Sequence, residues 1–284
     1  MRIEVRVTDV GEAERLAAEA YAAGAVGLEE RERDAGIALL LYAPEAAADA
    51  VHRRVAACAG AGSSVGAPER VPDADWSEAW KEGLEAIVIS PQLVIRPSFV
   101  SHSRAVGQCE LVIDPGQAFG TGGHASTRLA LEWIDLLAPG LKRGARLLDV
   151  GTGSGVLALA ALRRGPLEAV AFDTDALATA AARANARANG LASRLRLFTG
   201  TPAALGAGAF DLVVANLLRS ELLPWLEVLA ARTRPSGRAV FSGLLARERR
   251  AVESPLLRAG FRIVDVRERE DASGDAWVSL LTQR

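Results

Sequence analysis

The stretch that most constrains the fold is "ARLLDVGTGSGVLALAA", residues 145–161, where a short apolar run passes through three glycines into a helical pattern. A buried strand is predicted to end at Asp149 and Val150, glycines follow at positions 151, 153 and 155, and a helix then begins. Glycine lets the backbone approach a bound molecule without a Cβ clash. In open α/β sheets such a turn lies at the carboxyl end of its strand, where ligands bind. The stretch therefore predicts a ligand site in a parallel sheet.

The surrounding sequence repeats this alternation of strand and helix. The predicted strands are "ARLLDV", "EAVAFD", "RLRLF", "FDLVVAN" and "GRAVFSG", and the predicted helices include "ALATAAARANARAN", "SELLPWLEVLAART" and "ARERRAVESPLLRAG". Continuous apolar strands indicate burial on both faces, as in a parallel sheet between helix layers. "FRIVDVRER" and "AWVSLLTQ" flank a turn at "DASGD" and predict a closing antiparallel hairpin. We assign residues 91–284 to this domain; of two strand-like runs, "LEAIVIS" directly precedes it and "QLVIRPSF" lies at its start.

The first 72 residues are predicted to form a separate domain. Their patterns follow the order β-α-β-β-α-β, which is that of a small α+β, ferredoxin-like domain. Residues 73–90 are predicted to be a linker region with a short helix, in which Trp76 and Trp80 lie on one face. We expect these two tryptophans to pack against one of the domains rather than to contact substrate.

Composition excludes several classes of protein. Half of the 284 residues are hydrophobic and the net charge is −2, so a packed core is expected and no global charge favours nucleic acid. The N-terminal residues lack the apolar core of a signal peptide, and no window approaches the roughly 18 apolar residues of a membrane span. A cytoplasmic location is expected. Cys58 and Cys109 have no metal-like spacing and are expected to be buried thiols rather than a disulfide.

The spacing of the glycines distinguishes two kinds of cofactor. A dinucleotide-binding turn has the pattern G-x-G-x-x-G, but here the third glycine comes one residue early and position 156 is valine. G-x-G-x-G after a strand that ends in an acidic residue is typical of methyltransferases that use S-adenosylmethionine. A nicotinamide-dependent dehydrogenase is therefore the less favoured alternative.

Two aspartates follow the next strand, in "AVAFDTDAL". Asp173 ends this strand, where a carboxylate can accept hydrogen bonds from both hydroxyls of a ribose. Asp175 stands where the following helix needs an N-cap, so capping is its expected role.

Asn216 ends a third buried strand, "FDLVVAN", at the same predicted edge of the sheet. A buried polar group needs a hydrogen-bond partner, and the amide oxygen can accept from a substrate amine. Leu217 and Leu218 stand where amine-directed methyltransferases often have two prolines, and capping of the next helix is the alternative role for Asn216.

The most distinctive stretch is "LVIDPGQAFGTGGHASTRLALEWI", which holds Gly116, Gly120, Gly122 and Gly123 directly before a predicted helix. Together with "DWSEAWKEGL", "LLDVGTGSGVLALAA", "AFDTDALA", "VVANLL" and "FSGLL", in this order, it closely resembles the bacterial ribosomal protein L-11 methyltransferase family, PrmA. The resemblance covers the C-terminal domain almost from end to end. Small departures are Gly123 and Ala125, where many members have Thr and Pro, and Thr152, where they have Cys.

The resemblance implies a class I methyltransferase: a Rossmann-like seven-stranded α/β sheet with an antiparallel C-terminal hairpin, preceded by the ferredoxin-like substrate-recognition domain. It implies S-adenosylmethionine as cofactor, with contacts from Thr127, Gly151, Asp173 and Asn216. The glycine-rich loop is then expected to cover the methionine end of the cofactor. Further expected cofactor contacts are Phe119, Gly120, Thr121, Gly122, Thr152 and Gly153.

Two side chains of this region have more specific expected roles. Phe119 can offer an apolar or cation–π wall to the sulfonium. His124 can either face the substrate as a catalytic residue or brace the loop as a helix cap.

The reaction implied is methyl transfer to lysine ε-amines and an N-terminal α-amine of ribosomal protein L-11, met free or on the large subunit, with Asn216 orienting the amine. The enzyme is expected to be a monomer that requires neither a metal, a membrane nor direct contact with nucleic acid. The alternatives are a methyltransferase for lysines of another protein, the dehydrogenase, and a non-catalytic ribosome-binding module.

Overall fold

The computed structural model describes residues 1–7, 10–33, 36–60, 62–70, 84–114, 122–206 and 208–284. By their contacts the residues form two compact units, Met1–Gly83 and Leu84–Arg284. No helix among these described residues is both long and apolar enough to cross a membrane.

The N-terminal unit is a four-stranded antiparallel sheet with two helices. Its elements are β1 Arg2–Val7, α1 Val10–Ala22, β2 Gly27–Arg33, β3 Gly36–Tyr42, α2 Glu45–Cys58 and β4 Ser64–Val65. The strand order β2-β3-β1-β4 is that of a ferredoxin-like fold. Alternation along β1 buries Ile3, Val5 and Val7, as its period-two pattern predicts. The last strand is only two residues long, and a single bridge between Arg2 and Glu69 extends its pairing with β1.

The C-terminal unit contains the remaining strands and helices. The strands are β5 Ile87–Ser90, β6 Leu93–Arg96, β7 Cys109–Val112, β8 Arg146–Val150, β9 Glu168–Asp173, β10 Leu195–Thr199, β11 Phe210–Asn216, β12 Thr233–Leu245, β13 Arg262–Glu270 and β14 Ala276–Gln283. The helices are α3 Ala125–Leu137, α4 Val156–Arg164, α5 Ala176–Ala188, α6 Arg219–Leu222, α7 Leu226–Arg232 and α8 Arg249–Arg258. Short 3-10 turns lie at Ala138–Gly140, Ala192–Arg194, Pro202–Ala204, Leu223–Trp225 and Ala246–Glu248.

Seven of these strands form one mixed sheet in the order β10-β9-β8-β11-β12-β14-β13. The first five in this order are parallel, and the C-terminal hairpin adds β14 antiparallel to β12, with β13 at the edge. Helices cover both faces of the sheet. Trp133 of α3 and Leu157 of α4 belong to one apolar core, and Leu229 of α7 and Leu256 of α8 belong to the other. The class I methyltransferase sheet with its antiparallel hairpin is confirmed.

Strands β5, β6 and β7 form a second, three-stranded sheet. The sequence patterns predict β5 and β6 but not β7. Strand β7 is short and pairs in parallel with β6 along one side only, so it is an edge strand.

Other local predictions differ from the structure in detail. "SELLPWLEVLAART" is two helices, α6 and α7, separated at Leu223–Trp225, because Pro224 has no N–H to continue the helix. The predicted linker helix and its two tryptophans, Trp76 and Trp80, lie outside the described residues. Cys58 and Cys109 are free thiols as expected, although each is only partly buried.

Candidate functional site

The carboxyl ends of three neighbouring parallel strands, β8, β9 and β11, open into one cavity of about 760 Å³. The N-terminus of α3 and the first residues after β11 also contribute to its walls. The described residues that line it are His124, Ser126, Thr127, Val150, Gly151, Thr152, Gly153, Val156, Leu157, Phe172, Asp173, Thr174, Asp175, Ala178, Pro202, Asn216, Leu217, Leu218, Ser220, Glu221, Pro224, Trp225, Gly243 and Trp277. All of them belong to the C-terminal unit.

The glycine turn after β8 forms the floor of the cavity. Gly151 has φ of 67°, in the left-handed region, and a Cβ there would lie 2.5 Å from Cδ2 of Leu217. A side chain at this position would therefore be strained and would also collide with the segment after β11. The backbone N–H of Thr152 donates to the Phe172 carbonyl at 2.9 Å, which ties the turn to β9.

Beneath the turn lies Asp149, which is fully buried. Its Oδ2 accepts from the Thr152 hydroxyl at 2.7 Å and from the Ala158 N–H at 3.2 Å. No described residue donates to Oδ1. Burial raises the pKa of this carboxyl to about 6, because the charged form is poorly solvated; the two hydrogen bonds oppose the shift and nearby Asp173 adds to it.

The two aspartates at the end of β9 and after it, Asp173 and Asp175, lie in different environments. Asp175 caps α5, because its Oδ1 accepts from the Leu177 N–H at 2.8 Å. Asp173 faces the cavity, and its Oδ2 accepts from the Gly153 N–H at 2.9 Å. Its Oδ1 accepts from the N–H of Asp175 at 3.1 Å. A carboxylate has about four acceptor positions, so Asp173 keeps capacity for two more donors.

Asn216 meets Thr127 across the cavity wall. Its Nδ2 donates to Oγ1 of Thr127 at 3.1 Å, and Thr127 itself is fully buried in the first turn of α3. The N-cap of α6 is Leu218, so the alternative capping role for Asn216 does not apply. The Oδ1 of Asn216 is buried, and no described residue donates to it. The amide nitrogen of Asn216 is therefore engaged in a hydrogen bond, whereas its amide oxygen has no described donor.

His124 is the N-cap of α3. Its Nδ1 accepts from the Ser126 N–H at 3.3 Å and lies 2.8 Å from Oγ of Ser126. The imidazole also packs edge-to-face on Trp277, with ring centroids 4.6 Å apart. The bracing role predicted for His124 is therefore present, and its ring also lines the cavity.

Trp277 is held in place by the turn of the C-terminal hairpin. Its Nε1 donates to Oδ2 of Asp271 at 2.7 Å. Hydrogen bonds from Ser273, then from Trp277 and the backbone of Asp275, lower the pKa of Asp271 to about 2. The turn therefore offers a stably charged acceptor that fixes the indole beside the cavity.

The structure brings most of the predicted site residues together. Thr127, Gly151, Thr152, Gly153, Asp173, Asn216 and His124 all line the cavity. Gly122 is not among the described lining residues; it is buried with φ of 95°, and a Cβ there would lie 3.4 Å from Cδ1 of Ile95. Phe119, Gly120 and Thr121 lie outside the described residues.

Sequence reasoning gave no role to several residues of the cavity wall, among them Trp225, Gly243 and Trp277. Gly243 lies in β12 with φ of 81°, and a Cβ there would lie 2.6 Å from the Leu217 carbonyl oxygen. Trp277 lies near the start of β14. The direction of β14 is the signal that could have found it, because an antiparallel strand begins at the edge where its parallel neighbours end.

Among the described residues, no group of three or more His, Cys, Asp or Glu side chains is arranged to hold a metal ion. The titratable side chains of the cavity wall are His124, Asp173, Asp175 and Glu221. Glu221 accepts from the N–H of Leu218 at 3.2 Å and so closes the first turn of α6.

Comparison with known proteins identifies the family. The family model described as "Ribosomal protein L11 methyltransferase (PrmA)" matches residues 8–284. The chain belongs to this family. It is 42% identical over 217 residues to the ribosomal protein L11 methyltransferase of Thermus thermophilus, covering 75% of this chain and 78% of that one. The relative from Symbiobacterium thermophilum is 39% identical over 215 residues, which is 75% of this chain and 67% of that one.

A solved structure, ribosomal protein L11 methylase from Lactobacillus delbrueckii subsp. bulgaricus, has a TM-score of 0.62 and 30% identity, and covers 70% of this chain and 98% of that one. The chain spans about two thirds of the length of several curated relatives it matches. As a PrmA-family methyltransferase it uses S-adenosylmethionine as its cofactor.

Proposed function

We propose that this PrmA-family protein transfers methyl groups from S-adenosylmethionine to amino groups of ribosomal protein L11, on lysine side chains and at the N-terminus. The observation that carries the proposal is the amide of Asn216. Its Nδ2 is committed to Thr127, whereas no described residue donates to its buried Oδ1. An unpaired buried acceptor is costly, and a substrate amine is a donor that would satisfy it. The names of the relatives support L11 as the source of that amine.

The residues of the cavity fit the cofactor. Asp173 has acceptor capacity for both ribose hydroxyls beyond its two bonds to backbone N–H groups. The turn Gly151–Gly153 allows close approach of the methionine part, because it exposes backbone rather than side chain. Thr127 and Asn216 would then lie at the methyl-bearing end. Thr152 adds to this assignment by fixing the turn on Asp149.

When bound, S-adenosylmethionine supplies a methyl group on a sulfonium, whose S–C bond breaks as the amine nitrogen forms the new N–C bond. The nitrogen then loses one proton to water. The side chains of this protein orient the amine and exclude solvent, which are the contributions expected when no bond to the enzyme is formed. Asn216 would hold the amine by one N–H so that its lone pair points at the methyl group.

The amine must be neutral when it reacts. For a free lysine of pKa about 10.4, the neutral form at pH 7.5 costs roughly 4 kcal/mol. Desolvation beside a sulfonium lowers the pKa of an amine by up to about 3–5 units. The apolar cavity wall formed by Trp225, Leu217 and Trp277 would provide this environment and would enclose the aliphatic part of a lysine side chain. This mechanism needs no dedicated general base.

Recognition of the target protein is assigned to the ferredoxin-like unit, residues 1–72. In support of this assignment, every described residue that lines the cavity belongs to the C-terminal unit. Its sheet and two helices form a core of their own.

The test is transfer of labelled methyl from S-adenosylmethionine to purified ribosomal protein L11, with cofactor affinity measured in parallel by calorimetry. Asp173→Ala is expected to lose at least about 100-fold in cofactor affinity, because it removes two hydrogen bonds to a charged acceptor, and to leave L11 unlabelled.

Asp175→Ala is the matched control: it should lower stability by about 1 kcal/mol through the lost cap and keep the affinity. Cofactor binding without label on L11 would refute the substrate, and equal losses in both variants would refute the role of Asp173.

A further inference from the structure

Two asparagines one helical turn apart contact β7 and the residues after it: Asn185 in α5 and Asn189 at the C-cap of this helix. Nδ2 of Asn189 donates to the Val112 carbonyl at 2.6 Å, and its Oδ1 accepts from the Val112 N–H at 2.9 Å. These are the two bonds that a neighbouring strand would make. The side chain of Asn189 therefore satisfies the open edge of β7.

Asn185 makes a different connection. It is 6% exposed, and its Nδ2 donates to the carbonyl of Ser154 at 2.9 Å. Its Oδ1 accepts from the N–H of Asp114 at 3.4 Å. Ser154 belongs to the glycine turn, and Asp114 is the last described residue before residues 115–121. A single buried amide thus joins the glycine turn to the residue from which "PGQAFGT" continues.

The helix itself is fitted against the same turn. A Cβ on Gly155 would lie 3.0 Å from Cβ of Ala182, so α5 approaches the turn as closely as a glycine allows. Asn185 is not among the described residues that line the cavity. Any effect on the cofactor must therefore pass through Ser154 and Asp114.

We propose that Asn185 is a positioning residue for methyl transfer. Its amide ties the backbone of the glycine turn to the backbone at Asp114 at a fixed separation, so that the turn keeps the geometry that the cofactor requires. A buried amide that uses its donor and its acceptor on two separate segments fixes their separation more sharply than apolar packing does. The inference rests on the proposed function, because it assigns the glycine turn to cofactor binding.

The test compares Asn185→Ala with Asn189→Ala, two identical truncations one helical turn apart. Cofactor dissociation constants are measured by calorimetry well below the melting temperature, and kcat and KM are measured with L11. Asn185→Ala should weaken S-adenosylmethionine binding about tenfold. Asn189→Ala should lower the melting temperature but leave the dissociation constant within about twofold, because the lost bonds to Val112, Arg163 and the Asn185 carbonyl do not reach the glycine turn.

Asn185→Asp serves as a second variant if the alanine variant does not fold. Its ionised carboxylate keeps the acceptor for Asp114 but has no donor for Ser154, so it too should weaken cofactor binding while Asn189→Ala does not. A purely structural amide would lower the melting temperature and leave the cofactor affinity unchanged, and this result would overturn the proposal.

If the variants at Asn185 and Asn189 weakened cofactor binding equally, this result would also overturn the proposal. Failure of the proposed function looks different: the wild-type protein would bind the cofactor and leave L11 unlabelled.

Discussion

Replacing Asp149 by asparagine tests whether a buried carboxyl beneath the glycine turn makes the folded protein less stable as the pH rises. The carboxyl is fully buried, and its pKa is raised from 3.8 to about 6. Between these two values the unfolded chain has released the proton while the folded protein still holds it. Raising the pH through this window therefore favours the unfolded state. The amide of the Asp149→Asn variant is uncharged at every pH, so the variant lacks this contribution.

The magnitude follows from the two pKa values. A difference of roughly two units corresponds to about 3 kcal/mol when the pH is well above 6. About half of this loss in unfolding free energy has already occurred at pH 5, because the carboxyl is largely ionised there in the unfolded chain but still protonated in the folded protein. The wild-type protein should therefore lose about 1.5 kcal/mol relative to Asp149→Asn between pH 5 and pH 8.

The assay is urea unfolding of both proteins at several pH values from 5 to 8, with the difference in unfolding free energy as the measured quantity. Groups that titrate alike in both proteins cancel in this difference. Thr152→Val gives a second check, because it removes a hydrogen bond that lowers the pKa of Asp149 and should extend the decline to higher pH. A difference that does not change with pH would refute the raised pKa.

Two further variants test other parts of the site. Gly151→Ala should lower both the melting temperature and the cofactor affinity, because the new Cβ collides with Leu217. Position 190 has the same φ of 67° but open space around it. Gly190→Ala should therefore lose only about 1–2 kcal/mol of stability through backbone strain. Equal losses in the two variants would exclude the collision. Asp271→Ala should raise the KM for L11 and leave the cofactor dissociation constant within about twofold, because it frees the indole of Trp277. Steady-state kinetics with calorimetry decide this, and a change confined to cofactor affinity would contradict it.

The parts of the site that depend on local backbone chemistry were predictable from the sequence. Gly151, Gly153 and Gly155 all have positive φ, which glycine favours, and the turn they form lies at the carboxyl end of β8. Asp175 caps α5 because a short acceptor before an alanine-rich helix satisfies its first N–H groups. The break at Pro224 follows from the same kind of local rule, because proline has no N–H to continue a helix.

The parts that depend on distant residues were not predictable in this way. Strand β7 has four residues, and its open edge is satisfied by Asn189, which lies 77 positions away. Asn185 stands in an alanine-rich helix whose sequence shows only high helix propensity. The burial that raises the pKa of Asp149 likewise depends on how α4 packs over the strand. Such contacts follow from tertiary packing and leave no periodic signal in the chain.

The proposed function requires that the cavity at the carboxyl edge of the sheet directs a methyl group onto an amine of L11. Peptide mass spectrometry of L11 after incubation with this protein and S-adenosylmethionine tests it most directly. We expect methyl groups on lysine side chains or on the N-terminal amine, and none when Asp173→Ala replaces the wild-type protein. Unmodified L11, or methyl groups found only on atoms other than amine nitrogens, would contradict it.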